Sequence, residues 1–453
     1  LPYKGLIHSV TDGNGNVTRY SYDSSFNLQT ITNPESTTAN PIITRYEYNT
    51  MGWKSAEISP MGIRTEYQYD NNGNITQKKV ITDEETEITK YTYDLNGRVI
   101  VEKTPNQVAQ NAPGIVSTYY PSGKLHTKTD AVGYVYTYTY DQYGNLASVE
   151  NPDGSIEVYE YDSVNRKVRE SFKESADSST VLIAETSYSI IDNNDVVTTK
   201  KYTNNTNYIV DVSVYDYDGK LLRHSVDDVV DEINTYYGNR LIKSSTDGNG
   251  NAVYYTYFNY DSSTSELYNE MRRAISDGLY AYEKVVYDSA GNRIKNVRCV
   301  TPVAFDTVPS ENLVIDEYLY FGDNLIRQVT DNEGRKVTYT YDADRYRSGT
   351  EIYYSATEKN SVKTVSDHNG RTVEQRAYVD PDYIGNTSTD TDGDYIQKIY
   401  AYDKNGNLVT EISPNGHSVT YTYDGNDRKI SFIEQGTDEN GTEVVVTNNW
   451  QYD

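Results

Sequence analysis

The sequence predicts an all-β fold of tandem β-hairpins, joined in one long antiparallel sheet that coils into a spiral or partial shell. Three observations predict it. The dipeptide Tyr-Asp occurs thirteen times, and degenerate copies such as those at Tyr48 and Tyr120 divide its longer gaps into spacings of about 20 to 27 residues. Tyrosines alternate with Thr, Val and charged residues on the N-terminal side of each Tyr-Asp. In many copies a Gly stands three residues after the Asp, as in Asp94-Leu95-Asn96-Gly97. Self-similarity at a fixed period overrides a domain count from length, so the 453 residues read as one continuous array, 1–453.

The first element of the repeat is a strand. Tyr136, Tyr138 and Tyr140 alternate with Val135, Thr137 and Thr139, a period of two that places the tyrosines on one face. The second element is a turn. Its Asp accepts backbone N–H groups, and the Gly three residues later adopts positive φ and closes the hairpin. The pairs Tyr22-Asp23, Tyr69-Asp70, Tyr93-Asp94, Tyr140-Asp141, Tyr161-Asp162, Tyr260-Asp261, Tyr287-Asp288, Tyr341-Asp342, Tyr402-Asp403 and Tyr423-Asp424 mark this junction. Gly73, Gly97, Gly144, Gly291 and Gly406 hold the closing position, and Asn165 replaces it after Asp162. The third element is a strand led by an aliphatic residue: Val99, Leu125, Leu146, Leu221 or Leu408. The fourth is a second turn rich in Pro, Asn, Asp and Gly, as in Asp12 to Asn16 and again in Asp247 to Asn251.

A lone hairpin is marginal in water, whereas stacked hairpins share ladders of side-chain contacts. About twenty hairpins give about forty strands, and an open twisted sheet rarely exceeds ~10 strands without curling. The sheet is therefore expected to coil, with an inside and an outside. Residues 172–213, 299–317 and 349–398 break the rhythm and are expected to form irregular loops or long hairpin tips. Ser265 to Asp277 carries apolar residues at helical spacing and is the nearest candidate for a helix.

Composition excludes several classes of function. The net charge is −26, and the longest basic runs are pairs such as Lys78-Lys79 and Arg272-Arg273. A nucleic-acid partner, which needs basic clusters against phosphates, is not expected. No apolar run reaches the ~18 residues of a membrane-spanning helix, and membrane insertion is not expected. Cys299 stands alone, so no intrachain disulfide forms.

The unit Gly-x-x-x-x-Tyr-x-Tyr-Asp-x-x-Gly-x-Leu, matched by Gly133, Tyr138, Tyr140, Asp141, Gly144 and Leu146, resembles the YD repeat of the Rhs (rearrangement hot spot) family. That family includes bacterial Rhs toxins, wall-associated proteins, cocoon-forming components of toxin complexes and the teneurins. The resemblance covers essentially the whole chain. It implies a β-sheet shell around a cavity, in a large bacterial protein that is secreted or displayed at the cell surface. The implied partners are the rest of the parent chain and its cargo domain. The chain ends on Tyr452-Asp453, a copy cut at its turn, so it is expected to be a segment of a longer array. The Pro-Gly-rich core that closes toxin-type shells is not recognisable, so neither self-cleavage nor a toxin domain is expected in this segment.

Candidate chemistry is sparse. His8, His126, His224, His368 and His417 show no metal-ligand spacing. Asp12, Asn14, Asn16 and Asp23 faintly imitate a calcium loop, but Val17 stands where that loop needs Gly, and a hairpin turn is the better reading. Asp390, Asp392 and Asp394 are a somewhat better acidic loop for a cation, though still weak. Acidic pairs such as Glu84-Glu85 read as solvated charge, and Asn-x-Ser/Thr triplets at Asn74, Asn204, Asn386 and Asn440 as products of Asn-rich turns. The Tyr ladders could stack on sugar rings, so a carbohydrate- or protein-binding adhesion module is the alternative to a scaffold. Packing of Tyr within the sheet is the plainer reading. No cofactor and no enzymatic activity are expected.

Overall fold

The computed structural model describes residues 5–83, 85–204, 206–276, 278–354, 359–378, 395–437 and 442–452. Among these it contains one antiparallel sheet of 37 strands, from Ser9–Thr11 to Glu443–Asn449. Each strand pairs with the next in sequence, with one detour. The two-residue strand Val303–Ala304 folds back on Leu279–Tyr287, and Arg293–Cys299 pairs onward with Leu313–Tyr320. The first and last strands pair on one side only, so the sheet is open.

The Tyr-Asp turn is built alike along the chain. The Asp70 N–H donates to the Asn74 carbonyl (3.0 Å) and the Gly73 N–H to the Asp70 carbonyl (3.2 Å). One Asp70 oxygen accepts the N–H groups of Asn72 and Asn74, each at 2.9 Å, and the other accepts the Asn74 side chain at 2.8 Å. Asp94 repeats this with Arg98 as the side-chain donor, at 2.7 Å. A carboxylate fits the slot because it offers two acceptor oxygens and no donor. The register slips by one residue just before Tyr22, Tyr69, Tyr93, Tyr140, Tyr161, Tyr287, Tyr341, Tyr402 and Tyr423, as between Gln68 and Tyr69. This bulge is closed by a left-handed residue at Gly73, Gly97, Gly144, Gly291 and Gly406. Asn165 takes the same conformation, as do Phe26, Arg345 and Asp427, where the sequence does not announce it.

One expectation needs correction. Glu266–Ser276 is a strand, not a helix: its apolar spacing at Leu267, Met271 and Ile275 is overridden by pairing on both sides. The fold is all-β as expected, apart from one short helix, Pro105–Ala109. Its signal was present in Thr104-Pro105-Asn106-Gln107: Pro suits the first helical position, and the Gln107 side chain accepts the Thr104 N–H at 2.9 Å. In the irregular stretches the structure shows the long strands Val181–Ile191, Asn194–Tyr202 and Tyr208–Tyr215, and a loop from 300 to 312 that lies back over the sheet. There Phe305 packs edge-on to Tyr254 and Tyr280, each at 5.1 Å. Arg272 stacks on Tyr282 and Phe305 and donates to the Thr307 carbonyl. Tyr282, under the Arg272 guanidinium, is buried.

Elsewhere the sheet is a single layer. The accessible surface is 27433 Å². A compact globule of this mass would expose about 17,000 Å². The sheet instead coils until its second lap sits on its first. The turn at 12–16 meets the turn at 288–292, 33–36 meets 321–324, 59–63 meets 342–346, and 130–134 meets 424–428. Following the strand pairings, each of these contacts closes a path of 23 strands. At ~4.8 Å per strand the lap measures about 110 Å, hence about 35 Å across between backbones.

Candidate functional site

Two features carry what this architecture can do: the bonds between successive repeats and the seam between laps. Repeats are joined by tyrosine hydroxyls. The second Tyr of a Tyr-x-Tyr pair donates to the backbone carbonyl of the residue that opens the strand after the preceding turn. Tyr69 bonds Lys54 (2.6 Å), Tyr93 bonds Ile75 (2.7 Å), Tyr341 bonds Ile326 (2.9 Å) and Tyr423 bonds Leu408 (2.8 Å). Tyr22 bonds Ile7 and Tyr402 bonds Thr372 in the same sense. Phe cannot replace this group at these positions. Tyr140, Tyr161 and Tyr260 make no such bond. Tyr287 instead accepts the Asn269 amide at 3.4 Å.

Ring faces on this side of the sheet are occupied by cations. Lys54 lies over Tyr46 and Tyr67, Arg347 over Tyr339 and Lys429 over Tyr421. The other face carries hydroxyl pairs across neighbouring strands, such as Ser21 with Thr30, Thr139 with Ser148 and Thr422 with Ser431, each 2.6 Å apart.

The capping carboxylates share one electrostatic setting. Asp70 is held below the ordinary carboxylate range by the Asn74 side chain and then by turn N–H groups. Arg98 does the same for Asp94, and Asp23, Asp141, Asp162, Asp288 and Asp424 are lowered too. Asp342 is the exception. Burial pushes it up, and the charge of Asp344 adds to this. Asp261 departs in geometry: it ends a strand and caps Ser263 through both its N–H and hydroxyl.

The hydrogen bonds of the seam join residues 274 to 318 apart in sequence. Asn14 donates to Asp288 (2.7 Å), Asn33 to Asp323 (3.2 Å) and the Ser59 hydroxyl to Asp344 (2.7 Å). Glu35 accepts the Gly322 N–H at 2.6 Å. Asn106 and Asn405 each accept the other segment's backbone N–H. Gln107, buried in the short helix, donates to the Gly425 carbonyl. Gly13 has no alternative here, since a Cβ would lie 1.9 Å from the Ser289 carbonyl oxygen. The turns that follow the Tyr strands of the second lap thus rest on the return turns of the first. A cavity of about 530 Å³ follows the seam on the Tyr face, lined by Thr18, Ile31, Thr44, Asp344, Tyr346 and His368 among others.

His368 faces Glu87 across the seam at 3.2 Å, with both side chains buried. The other histidines lie apart from one another. His126 stacks on Tyr120 at 4.4 Å, His224 bridges Asp211 and Asp231, and His417 faces Glu434. Asp12 caps its own turn through the N–H groups of Asn14 and Asn16. Asp390, Asp392 and Asp394 lie outside the described residues, as does Glu84. Among the described residues no group of three or more His, Cys, Asp or Glu could hold a metal, and no helix is long and apolar enough to cross a membrane. Sequence reasoning found the capping Asp and closing Gly but missed every seam contact.

The family described as RHS Repeat matches residues 3–38, 119–156 and 402–431. No curated protein matches the sequence. Among solved structures, the crystal structure of TcdB2-TccC3-TEV is similar in fold, with a TM-score of 0.60 at 12% identity. The match covers 96% of this chain and 26% of that one, so this chain spans about a quarter of the relative's length. The crystal structure of TcdB2-TccC3 aligns over 97% of this chain and 28% of its own, at 14% identity and a TM-score of 0.37.

Proposed function

The chain carries Rhs repeats, and we propose that it is a wall segment of a large secreted or surface-displayed bacterial protein, forming part of a shell that encloses or presents a polypeptide cargo. The observation that carries this reading is the seam. A sheet whose second lap rests on its first, through bonds between residues nearly 300 apart, is a wall around a space. With side chains of ~5 Å on the inner face, a lap of 23 strands leaves an opening about 25 Å wide. That width admits an unfolded chain or a small folded unit. The occupied Tyr hydroxyls and ring faces support a structural role for the ladders and no chemistry of their own.

The experiment is protease protection. A flexible, protease-sensitive polypeptide is appended to the chain, and its cleavage is compared with the same polypeptide free in solution. Enclosure predicts cleavage slowed at least tenfold, lost when the seam is opened by Gly13→Val. Equal cleavage rates with an intact seam would refute enclosure.

A further inference from the structure

The pentapeptide Asp-Gly-Asn-Gly-Asn occurs twice, at 12–16 and 247–251, each time after a threonine and at a return turn. The two turns are built alike. The Gly15 N–H donates to the Asp12 carbonyl (3.1 Å) and the Gly250 N–H to the Asp247 carbonyl (2.9 Å). The Asp12 carboxylate accepts the N–H groups of Asn14 and Asn16, and that of Asp247 accepts those of Asn249 and Asn251, all at 2.9 Å. Both middle asparagines are exposed. They differ in one respect. The Asn14 side chain donates across the seam to Asp288 at 2.7 Å, whereas that of Asn249 makes no hydrogen bond among the described residues.

Asparagine is chemically labile, and most so before glycine, which has no side chain to shield its N–H. The glycine nitrogen gives its proton to water and attacks the asparagine Cγ. The amide nitrogen leaves as ammonia, and a cyclic imide remains. Water then opens the imide to aspartate or isoaspartate, so one water is consumed and one ammonia released. Two features of the seam oppose this at Asn14 and are missing at Asn249. The leaving nitrogen is the atom held by Asp288, so the side chain cannot turn toward Gly15 without breaking that bond. The Asp288 charge beside Cγ also opposes the negative oxygen that forms during the attack.

The product acts back on the seam. An aspartate at 14 sets two carboxylates where one bond stood, with no proton to share between them. An isoaspartate also lengthens the backbone beside Gly13, which has no room to spare against Ser289. We propose that Asn14 is a deamidation site locked by the seam: its reaction with Gly15 waits on a parting of the laps, and its conversion then holds them apart at this contact.

The test is the deamidation of the whole chain, incubated at mildly alkaline pH and followed by peptide mass spectrometry. Release from a charged acceptor slows a side chain about tenfold or more, so Asn249 is expected to convert at least that much faster than Asn14. Asp288→Ala removes the acceptor without touching turn 12–16 and is expected to bring Asn14 to the Asn249 rate. The effect on the seam is read by hydrogen exchange of the peptide around Gly322, whose N–H is held by Glu35 at the next contact. Asn14→Asp is expected to speed that exchange about tenfold. Asn249→Asp makes the same change in the matching turn and leaves the exchange as it was. Far-UV circular dichroism checks that all variants keep the fold. Equal rates at Asn14 and Asn249 in the intact chain overturn the proposal, as does conversion of neither. An Asn14 that stays slow in Asp288→Ala, or exchange in Asn14→Asp no faster than in Asn249→Asp, overturns it too.

Discussion

The hydroxyl bonds between repeats make a sharp distinction between two kinds of tyrosine that look alike in sequence. In the pairs Tyr67/Tyr69, Tyr91/Tyr93, Tyr339/Tyr341 and Tyr421/Tyr423 the second ring donates to the preceding repeat, whereas the first makes no hydrogen bond among the described residues. Consider two quadruple variants. One replaces Tyr69, Tyr93, Tyr341 and Tyr423 by Phe and removes four bonds of 2.6 to 2.9 Å. The other replaces their neighbours Tyr67, Tyr91, Tyr339 and Tyr421 and keeps every ring contact, including the cations over Tyr67, Tyr339 and Tyr421. An intramolecular hydrogen bond contributes about 1 kcal/mol net. The four sites lie in four separate repeats, so their effects should add, to about 4 kcal/mol. The first variant should therefore unfold at clearly lower urea with an unchanged slope, and the second within about 0.5 kcal/mol of the parent. Urea titration by circular dichroism measures both. Equal losses in the two variants would refute the argument, because the tyrosines would then act through ring packing alone.

Two more predictions follow from the turns and the seam. At neutral pH Asp94→Asn should lower the melting temperature, since the folded carboxyl is held below its ordinary range by Arg98 and turn N–H groups; such stability is present above the unfolded value near ~4 and is lost as pH falls through the folded one. Asp342→Asn should raise the melting temperature at neutral pH, because burial raises that carboxyl and its contribution is lost as pH rises; melting curves from pH 3 to 7 should show the two effects with opposite sign, and like signs would sink the reading. Deleting residues 141–161 joins Tyr140 to Asp162 and removes one hairpin of two strands. If strand count sets the lap, a cysteine pair at 14 and 323 should then crosslink in place of the pair at 14 and 288, in a Cys299→Ser background; persistence of the original pair would show that the seam bonds set it.

Much of the hairpin was legible because its determinants are local. The Asp cap and its Gly act over five residues, and the Tyr alternation within one strand. What was not legible depends on sums over many residues. Each strand is rotated only slightly from the last, and only after 23 of them does Asn14 reach Asp288. No sequence spacing announces that pairing. The acceptors of the Tyr hydroxyls were hidden for another reason. They are backbone carbonyls, which carry no side-chain signature at all. Phe26, Arg345 and Asp427 show the limit of the glycine rule. The turn imposes its left-handed position on whatever residue stands there, at a cost of about 1 kcal/mol that the two flanking strands absorb.

The count of 23 has a consequence of its own. Turns alternate between two rims, so two turns an even number of strands apart lie on the same rim and two an odd number apart on opposite rims. A coil stacks the upper rim of one lap under the lower rim of the next, which demands an odd count. The contacts between 14 and 288, 33 and 323, 59 and 344, 106 and 405 and 131 and 426 span 274, 290, 285, 299 and 295 residues. Among these five contacts the residue count varies by 25 while the strand count does not. The long hairpin around Val181–Ile191 and the loop folded back at Val303–Ala304 therefore change the length of the lap in sequence without changing it in space. Val303–Ala304 pairs with Leu279–Tyr280 and leaves the onward pairing of Arg293–Cys299 with Leu313–Tyr320 intact, so it is not counted in the path. A single extra strand inserted into that path would instead set like rims against each other and break every seam bond at once. Insertions in such a wall are tolerated as loops, as longer strands or as whole hairpins, and the irregular stretches of this chain are of the first two kinds.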